Sequence, residues 1–598
     1  MNFNKLKIAI IFVLGINYSF AQLTVKGNNY VYVNNEVLTV VDDLNLNDTD
    51  SRIYLRNEGQ LVQRTTGTSN NSGIGELSIY QEGTVNSYAF NYWCSPIGLK
   101  TANTTNNTFG IPLLYTPTDV TNSNAVTYNH NPDYNGVGGN PINIEPYWIY
   151  SFVNSNQYSE WVYLGDATTL APGLGFTMKG VTGTTNQQYD FRGKPNDGTI
   201  SNTVSEGDLT LIGNPYPSAL DAYDFIWDSE NQNAITGDLY FWEQDASQSS
   251  HYIEDYVGGY ATYTISAGEI ESFVPATFSA YMSNGTPVSL PAPESGVKIA
   301  KRYIPIGQGF MVEGKTATTG TVKTKNAHRD FYRESGSDSY FFRTSNTNSS
   351  SNRTNDNTTN EYGLNIVPED YKRFRINVIF NDTYTRQLLQ NFHTTATEGF
   401  DYGLEAKSPL GVDNDAHWVL NDEPYVIQAF NFEQSLTIPL VVKVTEQQPV
   451  NFSIFDIQNF DDNQSIFLHD IDAGLYVDLR TQNYDINLEA GTYTNRFEIT
   501  FTNDEDTLSI PEETLNSLVV FQNNNAGELT IKNPNLANLN TISLFDMAGK
   551  QIFNTSDLAL TTKHTFSTRS LSDGIYLVTI NLEANKTINK KIIVKNNK

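Results

Sequence analysis

Residues 22–41 read QLTVKGNNYVYVNNEVLTVV: short runs in which apolar and polar side chains alternate, broken by Gly27-Asn28-Asn29 and Asn34-Asn35. A side-chain period of two is the signature of a strand with one buried face, and Gly and Asn clusters mark turns. The same pattern recurs along the chain, as in RFRINVIF at 373–380. Aromatics make up 12% of the residues, with 35 Tyr and 32 Phe, while no segment carries a long apolar repeat of period 3.6. The sequence therefore predicts an all-β protein of multidomain β-sandwich modules, and its 598 residues allow about four domains.

The N-terminus carries Lys5 and Lys7, an apolar stretch over 8–16, and small residues at Ser19 and Ala21. This is the layout of a secretory signal over 1–21, with cleavage between Ala21 and Gln22. The apolar stretch is too short to span a bilayer, so no transmembrane segment is expected in the mature chain. Cys94 is the only cysteine and excludes an intramolecular disulfide; its apolar setting in NYWCSPIG reads as a small buried hydrophobe.

The chain carries 37 Lys+Arg against 66 Asp+Glu, a formal net charge of −29. Such acidity argues against a nucleic-acid partner, which rewards clustered Lys and Arg. Catalytic and metal patterns are missing as well. The seven histidines (His130, His251, His328, His393, His417, His469 and His564) fall in no ligand spacing, and no G-x-S-x-G elbow occurs. The near-match to a calcium loop at Asp43, Asn45 and Asn47 has Asp48 where the loop needs Gly and Tyr54 where it needs Glu. No catalytic residue, cofactor or metal is expected, and the chain reads as a non-enzyme.

A repeat organises the first half. YWCSPIG at 92–98 corresponds to LIGNPYPSAL at 211–220, each an apolar strand ended by a proline turn at Pro96 or Pro215. Each copy later carries Gly-x-Gly-Phe-x-x-x-Gly, containing Gly175-Phe176 in the first and Gly309-Phe310 in the second. A phosphate-binding reading fails, because residues 311–325 read as strand, turn and strand where a helix would be needed. Paired glycines that let strands approach closely fit better. Between the landmarks lie Trp148, Tyr150, Trp161 and Tyr163 in one copy, and Tyr240, Trp242 and Tyr252 in the other. Aromatics of this kind pack sandwich cores; exposed in a row, they would instead stack on sugar rings.

The expected organisation is a signal at 1–21, a β region with the first repeat at 22–200, and the second repeat at 201–343. An Asn/Ser/Thr linker follows at 344–361, with no apolar side chain before Tyr362. A β-sandwich at 362–503 and a small β-sandwich at 516–598 complete the chain.

The last unit carries a family resemblance. ISLFDMAGKQIF at 542–553 holds Phe545, Asp546 and Gly549; SLSDGIYLVTINL at 570–582 holds Gly574 and Tyr576; TINKKIIVK at 587–595 holds Lys590, Lys591 and Val594. This order resembles the C-terminal sorting domain of type IX secretion substrates, although VVFQNNNAGEL at 519–529 lacks the usual opening Pro-Asn-Pro. The sandwich at 362–503, with Phe374-Arg375-Ile376-Asn377 and Gln387-Leu388-Leu389, resembles the module that often precedes such signals. The resemblance implies delivery by the type IX secretion machinery, through the periplasm of a Gram-negative bacterium, to the surface or the medium. It implies no activity. The expected role is a surface or secreted protein with adhesive or structural modules, whose partners are other surface proteins. The alternative is a glycan-binding surface protein; a secreted hydrolase stands third.

Overall fold

The computed structural model describes residues 22–598 apart from 184–186, 246, 248, 289–294, 316–318, 341, 343–358, 410, 504–517, 535, 557, 583–586 and 597–598. The expected signal, with Ala21, and most of the expected linker lie outside the described residues. Strands account for 49% of the structure and helices for 5%, so the fold is all-β. The chain divides into two compact units, Met1–Phe501 and Thr502–Lys598.

The opening stretch folds in a way that alternation alone did not announce. Leu23–Val25 pairs in parallel with Leu44–Leu46, Tyr30–Asn34 with Arg52–Arg56, and Val37–Val40 with Gln60–Gln63. Each residue thus meets one 21 to 23 positions further on, so the chain winds in parallel coils before the sandwiches begin. Val25, Val33, Val40, Leu46, Leu55 and Leu61 fill the interior. The near-match to a calcium loop falls inside these coils. Leu44–Leu46 and Arg52–Arg56 are strands, and Asp48 turns the chain between them by accepting a hydrogen bond from the Gly27 amide at 2.6 Å.

The two repeat copies follow, each with its own core. Gly175–Lys179 pairs antiparallel with Phe90–Cys94, setting Gly175 opposite Cys94 and Phe176 opposite Trp93. In the second copy Gly309–Glu313 pairs with Leu209–Gly213, setting Gly309 opposite Gly213 and Phe310 opposite Ile212. The registers correspond residue for residue: in both copies the glycine faces the residue two before the proline. Phe176 is buried in the first core and Phe310 in the second.

The copies also join through these same strands. Trp93 bridges to Gln308 and Leu174 to Ile212, contacts that exchange under the repeat correspondence, as a pseudo-twofold relation requires. Side chains are excluded at the crossing. A Cβ on Gly309 would meet Trp93 backbone nitrogen at 2.8 Å, one on Gly213 the Gln308 carbonyl at 2.4 Å, and one on Gly175 the Ile212 carbonyl at 2.9 Å. Asn196, itself buried, donates to the carbonyls of Ser95 (3.0 Å) and Pro215 (3.1 Å), tying both proline turns together. Cys94 lies fully buried here, and burial raises its thiol far above the ordinary range, so it packs as a small hydrophobe.

Residues 372–501 form a sandwich. Lys372–Phe380, Tyr384–Phe392, Ile427–Phe430, Gln448–Gln458 and Tyr484–Leu488 make one sheet; six strands including Asp415–Leu420 and Thr437–Val444 make the other. Phe374, Ile376 and Val378 face Trp418 and Leu440 in its core. The opposite face carries Arg373 and Arg375, each 1% exposed. Arg373 Nη2 donates to the Glu271 carbonyl (3.0 Å) and Arg375 Nη1 to the Phe273 carbonyl (2.5 Å), both on the edge strand Glu271–Val274 of the second repeat. These buried guanidinium groups explain why residues on either side of 344–361 share one compact unit. Residues 359–361, expected in the linker, belong to an ordered turn in which Asn360 Oδ1 accepts from the amides of Tyr362 and Leu364.

The C-terminal unit is a small two-sheet module. Val519–Asn523, Glu528–Lys532 and Lys563–Ser567 form one sheet; Gln551–Ser556, Leu539–Asp546, Gly574–Leu582 and Thr587–Val594 form the other, in that order. No helix among the described residues is long and apolar enough to cross a membrane.

Candidate functional site

The repeat aromatics divide by environment. Tyr240 is fully buried and Trp148 nearly so, whereas Tyr163 is 53% exposed and Tyr252 75%. Trp161, Trp242 and Tyr150 lie half-buried. Tyr147, Tyr158 and Tyr134, which the sequence reading did not single out, are exposed as well. Nothing in their spacing marks them; only the folded loops bring them together.

The supporting frame is polar. Glu145 caps the turn Pro146–Trp148 by accepting from the Tyr147 amide (3.1 Å), and also accepts from the Asn131 amide (2.7 Å) and contacts His130 Nδ1 (2.9 Å). A carboxylate placed there satisfies amides that have no partner within the turn. Trp148 Nε1 donates to the Tyr134 carbonyl (2.8 Å), which closes the 130–135 loop over the same turn. Ring centroids then run from His130 to Tyr134 (4.9 Å), Tyr134 to Tyr147 (4.9 Å), Tyr147 to Tyr163 (6.5 Å) and Tyr163 to Tyr150 (5.4 Å). The result is a continuous strip of rings that begins at His130 and ends at the half-buried Tyr150.

Beneath the strip lies Lys179, 4% exposed. Its Nζ stands 3.6 Å from the Trp148 ring centre and donates to Tyr256 Oη (2.6 Å) and His251 Nδ1 (3.0 Å). Burial pushes its amine down to about 6. Burial, and then the neighbouring Lys179, push His251 down to about 4. A neutral imidazole accepting at Nδ1 carries its proton on Nε2, which lies 3.1 Å from Asn135 Oδ1. The strip therefore rests on a rigid polar column, Lys179–His251–Asn135.

A second group of perturbed residues lies at the joint between the other copy and the sandwich. Burial and the nearby Glu313 raise the Asp238 carboxyl to about 7, while Tyr240 Oη donates to it at 3.1 Å. Burial likewise raises Glu405 to about 8. Two cavities along this joint each hold about 10 Å³, room for a single water, and one is lined by Tyr260, Thr277, Arg386 and Ser408. No group of three or more metal-ligating side chains occurs among the described residues.

The landmarks named from sequence sit as follows. Pro96, Pro215, Gly175, Phe176, Gly309 and Phe310 are all buried at the junction of the copies. In the C-terminal unit Asp546 accepts from the amides of Ala548 (2.9 Å) and Lys550 (3.0 Å), and Gly549 takes φ +77°, so this pair makes a hairpin turn. Tyr576 and Val594 belong to the core, Phe545 and Gly574 lie half-buried, and Lys590 and Lys591 project from the edge strand Thr587–Val594. Gln22 is exposed at the start of the described chain.

This is an all-β protein whose first repeat presents an aromatic strip. The chain belongs to the family described as domain of unknown function DUF8693, whose model matches residues 9–501. Residues 508–594 match a second model, domain of unknown function DUF8694. No curated protein matches. Solved structures with some likeness include dimeric latent PorU from Porphyromonas gingivalis, at 11% identity and TM-score 0.12, covering 40% of this chain and 31% of that one. The chain thus spans about a third of PorU's length. Another is the SGBP-B protein of the Bacteroides ovatus mixed-linkage glucan utilization locus, in complex with a mixed-linkage heptasaccharide. It is 11% identical with TM-score 0.13, covering 41% of this chain and 68% of that one. A third is the extracellular domain of a one-component system from B. thetaiotaomicron, 10% identical with TM-score 0.12, covering 66% and 61%.

Proposed function

We propose that this protein is a non-catalytic surface or secreted protein that binds glycan chains along the tyrosine strip of its first repeat. The observation that carries this reading is the continuous run Tyr134–Tyr147–Tyr163, exposed and continued by the half-buried Tyr150, on a frame held by Glu145 and Lys179. Exposed aromatic faces stack on the apolar faces of pyranose rings, and planar polar side chains at the edge take the hydroxyls. The rings are held by the hydrogen bonds of Glu145 and Trp148, so little ordering entropy opposes binding. The perturbed carboxylates Asp238 and Glu405 are buried in the joint to the sandwich, where they support packing and have no access to a polymer.

Delivery is part of the same proposal. The N-terminal signal pattern and the C-terminal resemblance support export through the type IX machinery, with the module at 516–598 as the address. A glycan array probed with the full mature chain tests the binding, followed by titration of Tyr147→Ala and Tyr163→Ala variants. Binding that survives both substitutions defeats the assignment of the strip.

A further inference from the structure

The joint between the second repeat and the sandwich brings together three side chains that no spacing in the sequence connects. Lys301 is 4% exposed, and its Nζ donates to Asn365 Oδ1 and to the Gly363 carbonyl (3.2 Å). Asn365 Nδ2 donates to Glu271 Oε1 at 2.5 Å. Tyr263 Oη donates to Glu271 Oε2 at 3.1 Å. The orientation of the Asn365 amide is settled by its neighbours: an ammonium only donates and an ionised carboxylate only accepts. An Nζ bonded to Oδ1 stands within about 4 Å of Cγ, since a C=O bond is about 1.23 Å. A nucleophile, an amide carbonyl and a carboxyl touching the leaving nitrogen are thus in line.

The surroundings suit the same chemistry. Desolvation raises the Glu271 carboxyl above its ordinary value, which favours a group that gives and takes a proton. Glu271, Lys301, Asn365, Arg373 and Arg375 line one cavity of about 10 Å³, enough for one molecule the size of water or ammonia. Arg375 Nε, buried beside it, has no hydrogen-bond partner among the described residues and adds positive potential.

We propose that Lys301 and Asn365 form an intramolecular isopeptide bond, promoted by Glu271, that locks the second repeat to the sandwich. A proton passes from the Lys301 ammonium to Glu271 through a water in the cavity that both line, and the freed amine attacks Asn365 Cγ, forming Nζ–Cγ. The remaining extra proton on Nζ passes through Glu271 to Nδ2. The Cγ–Nδ2 bond then breaks and ammonia leaves, so atoms and charge balance with no co-reactant. The bond would close a loop over 301–365, spanning the segment 343–358 that lies outside the described residues. For a surface protein this makes the joint survive any cut in that segment.

The test is peptide mapping and intact mass of the full mature chain. The expected wild-type result is a mass about 17 Da below that of the sequence, the mass of one ammonia. Tryptic cleavage after Lys301 should be lost, and a branched peptide carrying Lys301 and Asn365 should appear. K301R, N365A and E271Q should each restore the full mass. A second measurement does not depend on the variants folding. With a protease site placed within 344–358, the cut wild-type chain should run as one species under denaturing conditions. Full sequence mass and two separate fragments in the wild type overturn the proposal; a deficit that persists in E271Q overturns the role of Glu271.

Discussion

The two repeat copies share a frame and differ in what they put on it. Gly175-Phe176-Thr177-Met178-Lys179-Gly180 and Gly309-Phe310-Met311-Val312-Glu313-Gly314 occupy corresponding strands in corresponding register. At the fifth position one copy has lysine and the other glutamate. Lys179 faces Trp148, Phe90 and Tyr256, donates to His251 and Tyr256, and supports an open aromatic strip. Glu313 lies near Asp238 and Lys407, where the sandwich covers the second copy. Both copies carry the glycines that the crossing demands and differ at the fifth position, which supports an aromatic strip in one and faces a joint in the other.

The sharpest way to break the comparison is to fill the crossing. Gly309→Val and Gly213→Val should each destabilise the first unit by about 3–5 kcal/mol, because backbone atoms block the new side chain and cannot move aside. Thermal unfolding monitored by circular dichroism checks this, and a tolerated valine at either site would refute a shared crossing. Of similar size, Phe176→Ala and Phe310→Ala should cost about 3–5 kcal/mol each as cavity-forming changes. Closely similar losses would sharpen the equivalence of the two positions, and a loss in only one would end it.

The fifth position gives a test in pH. Lys179 has its folded value lowered to about 6, below that of an unfolded lysine. Between that value and the ordinary amine range the unfolded chain holds more protons, so stability rises with pH through this window and is lost on acidification toward 6. His251, lowered to about 4, acts in the same sense below its ordinary value. Lys179→Met should therefore raise the melting temperature by several degrees at pH 7 and flatten its rise between pH 7 and 9, whereas Glu313→Gln should leave that rise in place. Equal slopes in wild type and Lys179→Met would remove the buried amine from the account.

Smaller effects concern the surfaces. Tyr147→Ala or Tyr163→Ala should weaken glycan binding by about tenfold or more, near 1.4 kcal/mol, with stability unchanged. Replacing Lys590, Lys591 and Lys595 with Gln should leave the C-terminal module folded, because all three side chains are exposed, two on the edge strand and Lys595 just beyond it. Fractionation of cells expressing a reporter fused to 516–598 then reads export. Periplasmic accumulation of the Gln variant would make the charged edge the recognised feature; normal release would leave the lysines as protection against edge pairing.

Strands and turns were legible because they are local. Period-two alternation in 373–380 marks Phe374, Ile376 and Val378 as core, and Asp546 and Gly549 mark a turn by their own chemistry. The repeat was legible too, since Pro96, Gly175 and Phe176 recur as Pro215, Gly309 and Phe310. Aligning the copies one step further would have exposed Lys179 against Glu313. What the tertiary structure alone decided is which strands meet. Alternation says that a residue faces a core and is silent about the partner, so the parallel coils of 23–63 and the burial of Arg373 and Arg375 could not be read locally. The tyrosine strip and the Lys301–Asn365–Glu271 cluster have the same origin: their members lie far apart in sequence or in irregular loops. Only long-range pairing, which no short window of residues encodes, brings them within reach.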